Sequence, residues 1–470
     1  MTALQFASLA TLVAMFVLTV WRKVNIGLIA LPAAYILSLV ADVPGKAFMS
    51  MFPVKLVMLV IGVTLLFAHV DRSGLLEHSI RTAMRYGGQR TWVVAGICFV
   101  IPAALTAAGA YGPASAAIIM PIAYRLSKQA KINYFTLGTA TIFGAIGATF
   151  SPLSASGALV KSLSAKAGRD YSTGALFILP LIGTAAITAV TLLVVHLLES
   201  RACTVRRSAA REALTVEDPD HETVTAQATT TSSAQRGHGE APTRDSPAGT
   251  ARHGWSGVMD TDAAIIPERR KHLTSYELAC LCTVVGMLIA VFGFNLDVGF
   301  VSLAGSLLLF LVFRPPEKDI INAIPWQVVF LISGLLMYIG VLTKIGTLEA
   351  MATVLSGIGT PVLTLLALAY LCALMSNVES AAILVLGILV PVALAVFGSS
   401  PIALLAALIV VALCSAAPAL NPAHIGGALV LASDDPAREP FTFKKLLWHA
   451  IAATLIVPGV VTLTVIPLVT

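Results

Sequence analysis

Apolar stretches recur from one end of this sequence to the other, and they limit the chain to one class of fold. In the first half they occupy residues 3–20, 26–41, 54–70, 92–110, 134–150 and 175–198. In the second half they occupy residues 278–294, 298–313, 328–342, 362–375, 381–397, 402–420 and 447–469. A helix needs about 20 apolar residues to cross the ~30 Å hydrocarbon core of a bilayer. Only 11% of the residues are charged, against about 25% in soluble domains, so most of the surface must face lipid. The sequence therefore predicts an all-α polytopic membrane protein.

A polar segment divides the chain into three parts. Residues 199–271 are rich in Thr, Ser, Ala, Arg, Glu and Gly and have no apolar periodicity. Such a segment cannot bury enough apolar surface to offset the entropy lost on ordering. We expect a disordered cytoplasmic linker there, acting as a tether or in regulation, between membrane domains at residues 1–198 and 272–470. No positive charge precedes the first apolar run, which predicts a retained span and not a cleaved signal.

Charge and cysteine patterns argue against other classes of function. The net charge is +6, but the basic residues flank the spans or lie in the linker, where they orient a membrane protein. We therefore expect no nucleic-acid partner. The six cysteines show no metal-ligand spacing, and no His-x-x-x-His motif, Asp-rich loop or pair of intramembrane carboxylates occurs. The sequence predicts neither an enzyme nor a metal site, although a membrane-embedded enzyme is the alternative from another class.

The two membrane domains resemble each other when one is laid on the other. Glycine, proline and glutamate residues 272 positions apart match: Pro53 with Pro325, Gly62 with Gly334, Gly74 with Gly346 and Glu77 with Glu349. With small changes of offset, Ser115–Ile118 matches Ser380–Ile383 and Ser151-Pro152 matches Asn421-Pro422. Apolar matches are common in membrane proteins, but glycines, prolines and a glutamate kept in order are not. The sequence predicts two structural repeats.

Each repeat reads as three spans, an amphipathic arm, a helical hairpin, a broken span and a final span. The arms are placed at residues 74–86 and 346–355, and the hairpins at residues 91–128 and 360–398. If the hairpins are re-entrant, each repeat has five spans, and an odd number inverts the second repeat relative to the first. Lys and Arg then lie mainly on the cytoplasmic side if both termini are outside. We expect a multi-pass protein of the cell (inner) membrane with a cytoplasmic linker.

Four interruptions of the apolar stretches mark the candidate site. Two are hairpin tips, at residues 110–113 and 376–379, and two are breaks in spans, at residues 149–157 and 419–427. Interrupted helices in inverted repeats are typical of transporters. Half-helices that start within the membrane direct their positive dipole ends at one centre, so they bind carboxylate or phosphate without a buried cation.

The predicted site consists of small and polar residues at these interruptions, since the predicted spans contain no central Lys or Arg. The alternative is that small residues there allow close helix packing. The candidate substrate- or ion-binding residues are Gly112, Pro113, Ser115, Thr149, Ser151, Pro152, Ser154, Ser156, Ser376, Asn377, Ser380, Asn421, Pro422 and His424.

Two of the polar residues have a more specific hypothesis attached. Glu379 is the acidic residue deep in an apolar stretch, and intramembrane carboxylates usually mark ion or proton pathways. We interpret it as a coupling residue, with a solvated carboxylate at an open tip as the alternative. His424 could donate a hydrogen bond to a substrate carboxylate, or it could be a packed histidine.

The paired hairpins and paired broken spans resemble the ion transporter superfamily, which includes the divalent anion:sodium symporters. Within it, about the first 165 residues are similar to MatC-type dicarboxylate (malonate) carriers. That likeness rests on Phe52-Pro53, Gly62-Val63-Thr64, Phe67-Ala68, Gly74 and the stretch Gly144–Gly157 with Phe150-Ser151-Pro152. The resemblance implies a scaffold domain, a moving transport domain that carries both hairpins, a homodimer and an elevator mechanism.

The tip motifs leave the coupling ion open. Symporters of the superfamily carry Ser-Asn-Thr at each tip, where sodium and the substrate carboxylate meet. Here Ser376-Asn377 is followed by Val378, and the first tip has Tyr111-Gly112-Pro113. The coupling ion is therefore sodium or a proton, and no other cofactor is expected. We expect cation-coupled transport of small dicarboxylates such as malonate, succinate or malate. An arsenite or sodium/proton exchanger of the same superfamily is the alternative.

Overall fold

The computed structural model describes residues 2–22, 24–76, 78–79, 90–215, 273–356, 360–378 and 382–468. These residues form helices and connecting turns, and none of them lies in a strand. The described residues within 1–196 and 273–470 form one compact unit, and the described residues 197–215 belong to a second. Six helical segments of the described chain are long and apolar enough to cross a membrane, and several shorter apolar helices accompany them. The all-α polytopic fold is confirmed.

The described part of the first half contains nine helices. They are α1 (Ala3–Arg22), α2 (Ile26–Val40), α3 (Gly45–Ser50), α4 (Val54–Ser73), α5 (Thr91–Ala107), α6 (Gly112–Gln129), α7 (Tyr134–Gly147), α8 (Ala155–Lys166) and α9 (Thr173–Thr215). The predicted first hairpin corresponds to α5 and α6. Most of the predicted first arm lies outside the described residues.

The helices of the second half follow in the same order, with a short 3-10 turn at Ala417–Leu420. They are α10 (Ser275–Phe294), α11 (Val298–Phe313), α12 (Glu317–Ile321), α13 (Trp326–Lys344), α14 (Thr347–Ser356), α15 (Pro361–Val378), α16 (Ala382–Phe397), α17 (Pro401–Ala416), α18 (Ile425–Ala432) and α19 (Glu439–Val465). The second predicted arm corresponds to α14, and the second hairpin to α15 and α16.

The predicted linker differs from the structure at its first residues. We expected disorder from Glu199 onward, but α9 continues to Thr215. The added residues include several Ala, Arg and Glu, which favour helix, and extending an existing helix avoids the cost of nucleation. The rest of the predicted linker, residues 216–271, lies outside the described residues.

The first four helices of the two halves begin in register. Their first residues are 272 positions apart: Ala3 and Ser275, Ile26 and Val298, Gly45 and Glu317, Val54 and Trp326. The offset at which glycines and prolines match in the sequence is therefore also the offset of the helix boundaries. The repeat extends from the sequence into the secondary structure.

The two halves also pack on each other reciprocally, α2 against α13 and α11 against α4. A Cβ added to Gly334 would lie 2.8 Å from the carbonyl carbon of Gly27 and closer still to its oxygen. A Cβ added to Gly62 would lie 3.0 Å from the carbonyl carbon of Gly299 and closer still to its oxygen. These pairs are the same contact made once by each half, as two-fold-related copies make it. The inverted direction of the second half in the membrane stays a prediction. We call α2, α4, α11 and α13 the scaffold helices.

Candidate functional site

The first broken span bends between α7 and α8 and is held by its own side chains. Ser154 caps α8, since its Oγ accepts the Gly157 N–H at 3.4 Å. The same hydroxyl donates to the carbonyl oxygens of Thr149 and of Ser151, the latter at 3.0 Å. A Cβ on Gly157 would lie 2.8 Å from the Phe150 carbonyl oxygen and closer to that of Ser151. Only glycine fits where the chain turns back on itself.

The second broken span repeats this construction between α17 and α18. His424 caps α18, because its Nδ1 accepts the Gly426 N–H at 3.2 Å. A Cβ on Gly427 would lie 2.7 Å from the Leu420 carbonyl oxygen and closer to that of Asn421. The close approach of Gly427 to the Asn421 carbonyl therefore corresponds to that of Gly157 to the Ser151 carbonyl. The predicted correspondence of the breaks is present in their geometry.

The first hairpin tip lies against the first break. Gly109, at the tip, has a φ of +113°, which favours glycine, and an added Cβ there would lie 3.0 Å from the Leu153 carbonyl oxygen. Ser151 Oγ donates to the Ala107 carbonyl at 2.6 Å, at the end of α5. The structure thus brings together two interruptions that lie about 40 residues apart in the sequence.

The end of α15, at the second hairpin tip, is joined to the second break by side-chain amides. Asn421 Nδ2 donates to Asn377 Oδ1 at 2.8 Å, and Asn377 Nδ2 donates to Thr454 Oγ1 at 2.7 Å. Ser376 Oγ donates to the Ser415 carbonyl at 2.7 Å. These bonds connect the hairpin, the break and α19. In each half, tip and break form one unit.

A cavity lies between the first tip, the first break, the scaffold helices α4 and α13, and helices of the second half. Its lining residues are Leu59, Val60, Thr64, Thr106, Gly109, Ala110, Tyr111, Gly112, Pro113, Ile146, Thr149, Phe150, Ser154, Ala155, Ser156, Val328, Leu331, Ile383, Leu386, Ser415 and His424. None of these side chains carries a permanent charge. A ligand there meets mostly apolar surface with a few hydroxyls and one imidazole.

Three helices of the described chain begin at this cavity. Gly112 is the first residue of α6, Ala155 is the first residue of α8, and His424 caps α18. A helix N-terminus carries about half a positive charge on its unpaired N–H groups. The N-termini of α8 and α18 are a symmetry-related pair at the two broken spans, and that of α6 lies at the first hairpin tip. Their common centre favours an anion although no cationic side chain lines the cavity.

The predicted site residues divide into two groups. Those that line the cavity are Gly112, Pro113, Thr149, Ser154, Ser156 and His424. Those that lie at the tips and breaks without lining it are Ser115, Ser151, Pro152, Ser376, Asn377, Asn421 and Pro422. Several of the second group hold the interruptions in shape: Ser115 Oγ, for example, donates to the Tyr111 carbonyl at 3.3 Å. Ser380 and Glu379 lie outside the described residues.

Four polar residues that line the cavity were not among the candidate site residues: Thr64, Thr106, Tyr111 and Ser415. Tyr111 belongs to the predicted first tip. Thr64 belongs to the Gly62-Val63-Thr64 motif, which the sequence resemblance had already singled out. Thr106 and Ser415 lie within apolar helices and carry no motif. Only the packing of their helices against the tip and break reveals them.

Comparison with known proteins assigns the chain to a transport family. Residues 16–432 match the family model described as CitMHS, citrate transporter. No curated protein matches the chain. The family match agrees with the predicted relation to transporters of the ion transporter type, while the closer likeness to MatC-type carriers stays a prediction.

Proposed function

We propose a substrate and a coupling mechanism from one premise: the chain belongs to the CitMHS citrate transporter family. The protein is accordingly a multi-pass membrane protein and a secondary transporter of citrate-like anions. Within that class, we propose that it moves small dicarboxylates of the malonate, succinate and malate class. The observation that carries this proposal is the meeting of three described helix N-termini, those of α6, α8 and α18, at one uncharged cavity.

The symmetry of that meeting point supports a substrate with two carboxylates. Each half contributes one broken-span helix, α8 or α18, so their positive ends form a related pair. Such a pair suits a substrate with one carboxylate at each end. Every further charge is costly to desolvate where no cationic side chain is present. Citrate is the second candidate, because the family is described by it.

The same absence of cationic side chains supports coupling to a cation. A dicarboxylate bound by N–H dipoles keeps its full charge, and a net charge is expensive to carry through a bilayer. Sodium ions or protons that travel with the substrate would neutralise it. We propose symport on this basis, with Glu379 at the second tip as the candidate coupling residue.

The position of the cavity supports an elevator mechanism. It lies where the scaffold helices α4 and α13 face the first tip and first break. If the hairpins and broken spans move together as a transport domain, the bound substrate would move past α4 and α13. We propose that the scaffold helices stay fixed within a homodimer while this motion exposes the substrate to each side in turn.

Uptake into proteoliposomes tests the substrate. Purified protein would be given labelled malonate, succinate, malate or citrate, with sodium and proton gradients imposed separately. We expect a dicarboxylate to accumulate under at least one gradient and to stop accumulating when that gradient is collapsed. Accumulation of citrate alone would favour the second candidate. No accumulation under either gradient would contradict the proposal and favour an exchanger.

Replacing Glu379 with glutamine tests the coupling residue. We expect uptake to fall at least about tenfold, or its pH dependence to flatten, because the change removes the ionisable group of the candidate coupling residue, and carboxylates in apolar stretches usually mark ion or proton pathways. Initial rates from pH 5 to 8, at matched protein levels, measure the effect. Glu349→Gln is the matched control, since Glu349 is exposed on α14. If Glu379→Gln and the wild type show equal uptake at every pH, Glu379 is a solvated carboxylate and not the coupling residue.

A further inference from the structure

A few buried side-chain polar atoms have no hydrogen-bond partner among the described residues. They are His69 Nε2, Thr106 Oγ1, His424 Nε2, His449 Nδ1 and Thr462 Oγ1. Buried polar atoms are nearly always paired, so each such atom needs an explanation. Two of these residues, Thr106 and His424, line the cavity. They lie on different halves of the chain.

Thr106 differs from other buried threonines of the same structure. Thr139, Thr141 and Thr188 each donate to the carbonyl four residues earlier, at 2.7–2.8 Å, as hydroxyls in helix interiors commonly do. Thr106 is fully buried in α5 and makes no such bond. Its side chain lies beside the first tip, since a Cβ on Gly112 would lie 3.8 Å from Thr106 Cγ2. The hydroxyl is therefore without a partner in a residue that lines the cavity.

The tautomer of His424 is set by its capping bond. Nδ1 accepts the Gly426 N–H, so a neutral ring carries its proton on Nε2. Nε2 is thus a hydrogen-bond donor, and it is the atom without a partner in a side chain only 5% exposed. The Ala419 carbonyl interacts with this ring as a backbone acceptor, but it forms no hydrogen bond of good geometry with Nε2. A ligand acceptor in the cavity would complete the bonding of this donor.

Three of the other hydroxyls that line the cavity already donate a hydrogen bond. Thr149 Oγ1 donates to the Ile146 carbonyl at 2.7 Å, and Ser415 Oγ donates to the Ala412 carbonyl at 2.9 Å. Ser154 donates to the Ser151 carbonyl. Since a hydroxyl has one proton, these three groups have none left for an anion. Thr64, Tyr111 and Ser156 also line the cavity. Among the lining residues, the polar atoms that are both fully buried and without a partner belong to Thr106 and His424.

We propose that the Thr106 hydroxyl and the His424 Nε2–H are the side-chain donors that bind the carboxylates of the substrate. The inference rests on the proposed function, and it assigns specificity to two residues, one of them outside every sequence motif. Both groups are neutral. They therefore add directed hydrogen bonds to the dipoles of the helix N-termini and leave charge balance to the coupling ion.

Matched substitutions in the purified full-length protein test this assignment. Thr106→Val removes the hydroxyl at constant shape. His424→Asn keeps a side-chain oxygen for the capping bond, as asparagine is a favoured N-cap, but its shorter side chain does not reach the position of Nε2. Thr462→Val and His449→Asn are the controls, because each also alters a residue with an unpartnered buried atom, yet neither residue lines the cavity. Thr106→Ser restores a hydroxyl.

Binding of succinate, citrate and sulfate, measured by calorimetry, is the readout, with thermal unfolding to confirm folding. We expect Thr106→Val and His424→Asn each to weaken succinate or citrate binding about ten- to hundredfold. The two controls and Thr106→Ser should bind within about threefold of wild type. Equal binding by wild type and both cavity variants, or equal losses in the controls, would overturn the assignment.

The inorganic anion separates this assignment from the proposed function. If the wild type binds sulfate and neither carboxylate, and both cavity variants lose that binding, the donor pair stands and the proposed substrate falls. A wild type that binds none of the three anions would overturn both.

Discussion

Replacing Gly157 or Gly427 with alanine is expected to abolish uptake. In both breaks an added Cβ would overlap a carbonyl oxygen of the preceding turn, that of Ser151 or of Asn421. The obstacle is backbone and not a flexible side chain, so the turn itself must open. Overpacking of this kind typically costs about 1–3 kcal/mol, and here the displaced turn also carries the cap of the following helix. We expect uptake near background at either position.

The measurement pairs uptake with thermal unfolding of the purified variants. Gly96→Ala and Gly286→Ala serve as controls, because these glycines lie in α5 and α10 with nothing within 4 Å of an added Cβ. Alanine favours a helix interior by about 1 kcal/mol over glycine, so the controls should keep both uptake and stability. Normal uptake by Gly157→Ala and Gly427→Ala would show that the breaks are not held as described.

Replacing Asn377 or Asn421 with alanine should reduce uptake by at least about tenfold. Asn421 donates a hydrogen bond to Asn377, and Asn377 donates one to Thr454. Replacing one asparagine with alanine leaves one polar atom of the other amide, Asn377 Oδ1 or Asn421 Nδ2, without its partner in a partly buried position, which costs about 1–3 kcal/mol. It also disconnects the second tip from the second break. Helix α18 starts at the second break, and its cap His424 lines the cavity. We therefore expect substrate binding to weaken along with stability.

A double-mutant cycle distinguishes a connected pair from two independent residues. If the shared bond is what matters, Asn377→Ala combined with Asn421→Ala should cost little more than the worse single change. Asn322→Ala provides the control, since Asn322 is an exposed residue at the end of α12. Strictly additive losses in the double variant would contradict the shared role.

Much of the fold could be predicted because glycine and proline have local consequences that the sequence shows directly. Pro53 and Pro325 precede α4 and α13, and Ser151-Pro152 and Asn421-Pro422 mark the ends of broken spans. The apolar stretches in turn predict the helices, because a backbone that crosses lipid must satisfy its own hydrogen-bonding groups, as a helix does. The repeat, the tips and the breaks are therefore visible in the sequence.

The site itself was predicted less completely, because hydrogen-bond partners are not a local property. Ser151, Ser376 and Asn421 were sensible candidates by type and position, yet Ser151 and Ser376 donate to backbone carbonyls and Asn421 pairs with Asn377. Thr106 looks in the sequence like any threonine in an apolar helix. Its free hydroxyl becomes apparent only when the acceptors around it are known.

The contact between Gly27 and Gly334, made a second time by Gly299 and Gly62, has the geometry of a homodimer interface enclosed within one polypeptide. A half-length ancestor with this surface could pair with a second copy of itself and form the same scaffold. Gene duplication and fusion would then need only to add a segment that connects the two copies, because the contacts between them would already exist. The two halves differ in other details, such as the residue that caps the equivalent helix, which is Ser154 in one half and His424 in the other.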